Sequence, residues 1–383
     1  MPTSVCLRAC AGVCLAGLVA IDVPSTGLAA VPAADDRAAQ AQAAPAVLAP
    51  WPDAKTMEDR RRAATNRRLF RVTEPLSVTL TANWRAVNGD RNPESTRTWP
   101  ATIEFAKDDG ALVSMPVQVG TRGHARLKIC SAPPLRLEFP KDQTKGTVFD
   151  GHGALKLGTH CHNDYEEYVL REYAVYVLYN LLTPRSYRAR LAKVTYVDAA
   201  SKRVNGTKYG LFIEDADDVA KRLDGQIVDL QKVTFARVDM ETLTLMMLFE
   251  YMIGNTDMSM FLLHNIRLVQ TQAGMRYTVP YDFDYSGLVR AMYAVPAAHF
   301  KLSSVRERLY IGPCRTAAEL EPFFDKMRAL KTNALALYDT LPDMKPYYRK
   351  EAKAYLEEFY KTIDNPRDVK RAFIDGCNNR PYM

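Results

Sequence analysis

Between residues 75 and 160 the chain is dominated by alternation of apolar and polar positions. Segments 75–84, 101–106, 111–123, 134–139 and 154–159 alternate or carry β-branched runs, the two-residue period of a half-buried strand. A turn at residues 108–110 (DDG) separates two of them. From residue 164 the period changes: apolar residues recur at three- and four-residue steps as far as residue 182. Asp164, Glu166 and Glu167 stand near the start of this helix, where its dipole favours acids, and Pro184 ends it. Two further strands, 190–198 and 208–214, flank a turn at Asn205 and Gly206. After an acidic bend (Glu214, Asp215, Asp217, Asp218), residues 240–253 are apolar almost all round, which predicts a helix buried on every side. A polar loop, a short hairpin, an acidic turn and helices over 317–374 complete the order. The pattern predicts an α+β protein with a mostly antiparallel sheet first and helices after it.

The ends of the chain add an address. Residues 1–33 read as a signal peptide, with Arg8, an apolar run over 9–20 too short to span a membrane comfortably, and small residues after it. Residues 34–72 read as an Ala- and Pro-rich linker followed by a basic segment over 60–71, expected to be a solvated helix face. Residues 73–214 then form a sheet-rich part and 215–383 a helical part. The formal net charge of +7 permits acidic or phosphorylated ligands but does not argue for nucleic acid. The mature chain is expected to be exported, periplasmic or secreted, monomeric and without a stable membrane span.

Cysteine usage agrees with export. Cys6, Cys10 and Cys14 fall in the leader, which leaves Cys130, Cys161, Cys314 and Cys377, an even set without CxxC spacing. His160 and His162 flank Cys161 but lack a second cluster at metal-ligand spacing, so zinc is the weaker reading. Cys130 precedes the strand 134–139 and Cys161 follows the strand 154–159. If those strands are antiparallel neighbours, Cys130 pairs with Cys161; Cys314, after the acidic turn, is expected to pair with Cys377 at the end of the last helix and pin the C-terminus.

The chemistry concentrates in two stretches, GNTDMSMFLLHN (254–265) and PYDFDYSG (280–287). Asp257 follows a buried helix, Asn265 lies eight residues on, and Asp282 and Asp284 follow a short hairpin. Phosphoryl transfer needs such a set: one carboxylate to orient or deprotonate an acceptor hydroxyl, and further oxygens to hold a divalent metal against phosphates. Asn, Asp and Gly are also the ordinary occupants of turns.

These stretches resemble the spore coat protein H (CotH) kinase family, whose GNxD…N loop is followed by a P-[WY]-D-x-D turn. The RG pair at 122–123, the strand PLRLEF, the helix VLREYAVYVLYNLL and the segment YGLFIED (209–215) agree in order, so the likeness covers residues 122–287. The resemblance implies a bilobal protein-kinase-like α+β fold, with an antiparallel-sheet N-lobe and a mostly helical C-lobe. It also implies ATP and Mg²⁺ or Mn²⁺ as cofactors and a protein or surface polymer as acceptor. Carried over, Asp257 is the catalytic aspartate, and Asn265, Asp282 and Asp284 are metal ligands. Arg136 or Lys156 stands for the strand lysine, with Glu172 as its acidic partner on the helix; Arg122 and Glu214 complete the nucleotide contacts. A fold retained for binding without catalysis, and transfer of AMP instead of phosphate, are the alternatives.

Overall fold

The computed structural model describes residues 48–163 and 165–379. The proposed signal peptide, most of the linker and Asp164 lie outside the described residues. The elements begin with helix α1 (Ala54–Thr65) and a 3-10 turn (Arg68–Phe70). Strand β1 (Leu76–Ala82) leads through α2 (Trp84–Gly89) to β2 (Trp99–Ala106) and β3 (Leu112–Thr121). After α3 (Ala125–Ile129) come β4 (Leu135–Glu138), β5 (Ala154–Gly158), α4 (Glu167–Leu182), β6 (Ala189–Asp198) and β7 (Val204–Ile213). The rest comprises α5 (Ala216–Arg222), β8 (Gly225–Val228), α6 (Met240–Ile253), β9 (Ile266–Thr271), β10 (Arg276–Pro280), α7 (Ala317–Ala329), α8 (Lys331–Thr340), α9 (Pro346–Ile363) and α10 (Pro366–Val369).

Strands β1 to β7 close into a barrel in the order β1-β2-β3-β4-β5-β7-β6. Six of its pairings are antiparallel; the seventh is parallel and joins β1 to β6, with Leu76 beside Ala192 and Ala82 beside Asp198. This corrects the expected bilobal kinase-like fold with its antiparallel-sheet N-lobe and helical C-lobe: the chain forms a closed mixed barrel with helices. Alternation along a strand says which face is buried, not which strand lies on each side. The closing pair joins segments more than a hundred residues apart in the chain, beyond the reach of any local pattern. The inward positions (Val78, Leu80, Ile103, Phe105, Met115, Val117, Leu137, Leu157, Val194 and Phe212) fill the barrel as one buried cluster.

A second buried cluster lies outside the barrel, where α4, α6 and the three-stranded sheet β10-β9-β8 meet the C-terminal helices. Helix α6 is buried from Thr242 to Ile253, as its unbroken apolar composition requires. Asp239 caps its start by accepting from the backbone N–H of Thr242, and Gly254 ends it in the left-handed region at φ +67°. A side chain at Gly254 would collide with the Tyr355 hydroxyl, 2.0 Å from the Cβ position. This junction aims the chain into the loop that carries Asp257.

Two disulfides join Cys130 to Cys161 and Cys314 to Cys377, with Cα separations of 4.5 and 5.1 Å. Strands β4 and β5 are the antiparallel neighbours that bring the first pair together. Paired cysteines of this kind belong to a non-cytoplasmic protein. Among the described residues no helix is long and apolar enough to cross a membrane. The basic run forms α1 and the turn after it, and Arg67 there is 2.7 Å from Asp218 of α5.

Candidate functional site

The loop after α6 is built by its own short polar side chains. The Asn255 side-chain oxygen accepts from the backbone N–H of Asp257 at 3.0 Å. The Asn265 amide donates to the Asp257 carbonyl at 2.7 Å and to its carboxylate at 3.2 Å. His264 Nε2 lies 3.4 Å from the other carboxylate oxygen. The hydrogen bond to Asp257 raises the His264 pKa, and the Asp257 and Asp282 charges add to it against some desolvation. Leu263 and Asn265 both hold positive φ, a conformation that non-glycine residues keep only where their surroundings impose it.

The β9–β10 hairpin returns the chain beside this loop. Tyr281 N–H donates to the Asn265 carbonyl, and Gly287 and Leu288 donate to Gly254 and Ile253. Asp282 also has positive φ, and its backbone N–H donates to the Tyr176 hydroxyl of α4 at 3.0 Å. Phe283 is fully buried against Tyr176 and Phe249, so the two aspartates on either side of it are anchored by a core residue. Asp284 is buried and accepts from the Tyr293 hydroxyl at 2.8 Å.

Asp257, Asn265, Asp282 and Asp284 line one cleft of about 680 Å³, together with Arg122, Arg126, Arg267, His124, His264 and Tyr281. Its size falls within the usual range for small-molecule sites. Desolvation, then the neighbouring Asp282 charge, push the Asp284 pKa well above the carboxylate range, with Arg126 opposing. Glu172 behaves likewise: buried on α4, its pKa is raised by desolvation and then by Asp284, again against Arg126.

Lys156 sits at the edge of this group, its ammonium 5.6 Å from the Tyr281 ring centre, with Arg122, Asp215, Arg267 and Asp282 as its charged neighbours. Burial, aided by Arg122, lowers its pKa to about 8. Two other expected contacts are not brought here. Arg136 turns along its own strand to Glu138 at 3.0 Å and is half exposed, so it does not face Glu172. Glu214 is fully buried and taken up by Arg188 and Arg222, at 2.6 and 2.9 Å, which leaves it no free oxygen for a nucleotide.

The cation that does face Glu172 and Asp284 is Arg126, which sequence reasoning missed. Its Nη1 is 3.9 Å from Asp284, and Nη2 donates to the Thr159 carbonyl at 2.8 Å and to the Tyr168 hydroxyl. Its guanidinium also lies over the Tyr168 ring, 5.3 Å from the centre. The clue was the expected Cys130–Cys161 bridge, which ties the segment just before Cys130 to the start of α4. No protein-family model matches this chain, and no curated protein does.

Proposed function

We propose that this cleft binds a nucleoside triphosphate with a divalent metal and transfers a phosphoryl group to a hydroxyl of a protein or surface polymer, outside the cytoplasm in the periplasm or after secretion. The carrying observation is the convergence of Asp257 and Asp282, on two loops bonded through Tyr281 and Asn265, opposite Arg122, Arg126 and Arg267. The likeness of GNTD…N and PYDFD to the CotH kinase family supports the same reading.

Asp257 accepts the proton of the acceptor hydroxyl as that oxygen bonds to the γ-phosphorus and the bond to the β-phosphate breaks. Asn265 and His264 hold its carboxylate in place. Arg122, Arg126 and Arg267 provide the positive wall against which a polyphosphate lies. The donor set fits a hard cation: Asp282 and Asp284 offer carboxylate oxygens and Asn265 an amide oxygen. Among the described residues no group of three or more His, Cys, Asp or Glu side chains is arranged to hold an ion unaided. Phosphate oxygens would complete the shell, as is usual for Mg²⁺. The metal's chemistry would be neutralisation of the phosphate charge.

The test is thermal stabilisation by ATP with Mg²⁺ or Mn²⁺, followed by transfer from nucleotide labelled at the γ or the α position. Stabilisation that needs both nucleotide and metal, with γ-label transfer lost by roughly 10²–10⁴-fold in Asp257→Asn, is the expected result. Transfer of the α label shows AMP transfer instead. Binding without transfer of either label shows a binding protein, and no stabilisation overturns the assignment.

A further inference from the structure

The part of the cleft that carries Arg126 is its weakest piece of secondary structure. Helix α3 has five residues and no side-chain cap at His124, and so short a helix cannot persist on its own. Its end is tied down at Cys130, whose N–H donates to the Arg126 carbonyl at 2.9 Å and whose sulfur is bonded to Cys161. On the far side of the bridge, Thr159 supplies the carbonyl that receives the Arg126 guanidinium. Ala132 N–H donates to the Cys161 carbonyl at 2.9 Å, which completes a closed frame around the arginine. Arg91 is a second tie, donating to the carbonyls of Leu127 and Cys130.

We infer that the Cys130–Cys161 disulfide is an assembly latch: it sets Arg126 in the cleft, so the anion-binding wall is completed only after the chain has been oxidised. Arg126 belongs to the positive wall of the cleft and also pairs with Asp284, and the bridge acts through it. This inference rests on the function proposed above for its consequence, but the latch itself is a statement about local structure. Forming the bridge joins two thiol sulfurs and passes two electrons and two protons to an oxidant of the disulfide class, which leaves as a dithiol. Both sulfurs belong to buried residues, so the latch closes once, as the chain folds, and does not cycle. Closing a loop of 31 residues disfavours the unfolded chain by roughly two to three orders of magnitude in the chain-entropy model, and the bridge pins the end of α3 against local opening. In a reducing cytoplasm the cleft stays incomplete, which keeps a nucleotide-using site idle until export.

The experiment compares the paired variant Cys130→Ser/Cys161→Ser with Cys314→Ser/Cys377→Ser, Arg126→Met and the triple variant, all as the full exported chain. Hydrogen exchange reads the latch; binding of a fluorescent ATP analogue with Mg²⁺ reads its consequence. Loss of the first bridge should speed exchange over 125–132 and 159–162 by at least tenfold and weaken the analogue by about tenfold, and loss of the second bridge should change neither by more than twofold. Adding Arg126→Met to the first pair should weaken binding no further, because both changes remove the same group. Unchanged exchange over 125–132 overturns the latch, and so do additive losses of binding. Faster exchange in a protein whose oxidised wild type binds no nucleotide leaves the latch standing and overturns the proposed function.

Discussion

Replacing Glu214 by glutamine should unseat two guanidinium groups at once while leaving the cleft intact. Oε1 accepts from Arg188 Nε at 3.0 Å, Arg188 Nη2 at 2.6 Å and Arg222 Nε at 2.9 Å. Oε2 accepts from the Arg188 backbone N–H and from Arg222 Nη2, each at 2.9 Å. An amide cannot serve this set: whichever way it turns, its NH₂ faces at least two donors, and both cations lose their counter-charge. Charge-assisted hydrogen bonds are worth about 1.5–3 kcal/mol each, but five such values do not add, because Arg188 keeps some access to water at 18% side-chain exposure. Breaking a buried ion pair from one side costs about 3–5 kcal/mol, and that is the expected loss. With an unfolding entropy near 0.7 kcal/mol/K for roughly 330 folded residues, Tm falls by about 4–7 °C. Calorimetry checks the stability. Titration with the ATP analogue, well below the variant's Tm, should give the wild-type affinity. A Tm within about 1 °C of wild type refutes the clamp, and lost binding in a folded variant restores Glu214 as a nucleotide contact.

Three further outcomes are expected. His152 and His160 are held neutral, burial first and then Arg67 or Lys208 respectively pulling each pKa to about 4. A depressed folded pKa gives stability that is full above 6.5 and falls as pH drops toward 4, by up to about 3 kcal/mol per histidine. Urea midpoints should decline over that window and decline less in the double glutamine variant, and equal slopes refute this. Serine pairs at the bridged cysteines should cost up to about 3.7 kcal/mol for Cys130–Cys161 and about 4.3 for Cys314–Cys377, from loops of 31 and 63 residues; denaturation under non-reducing conditions measures both, and a larger loss at the shorter loop contradicts the entropic ranking. Arg126→Met should lower stability by about 2–4 kcal/mol, since the Thr159 carbonyl loses its charged donor and Asp284 its cation; urea unfolding measures this, and a change below about 0.5 kcal/mol removes Arg126 from the network.

What the chain disclosed by pattern was local. The period-two stretches became β1 to β5 and the apolar run became α6, whereas Asn205 and Gly206, expected in the turn between the next two strands, lie inside β7, and the turn falls at residues 199–203. Asp257, Asn265, Asp282 and Asp284 were visible because turn-forming residues cluster there between apolar runs, and the hairpin between them has no choice but to return. Arg136 was misplaced because alternation puts it on the same face as Lys156, its cross-strand neighbour, but does not say that the cleft lies under only one of them. Arg126 was missed because a five-residue helix has no period to detect. Glu214 looked available because its two arginine partners, Arg188 and Arg222, lie on either side of it in the chain with nothing to mark their convergence.

The parallel seam between β1 and β6 imposes an order on assembly. During synthesis β1 appears first and can be met from one side by β2, but its other edge waits until residues 192–198 have emerged. Until then the growing sheet has two open edges and an unfilled interior of valine, leucine, isoleucine and phenylalanine, the state most exposed to pairing with another chain. Long-range closure of this kind is slow, and an exported chain meets it during or after translocation. The yield of native protein should therefore depend on how promptly the last strands follow the first, which makes this seam the step that a holding chaperone would protect.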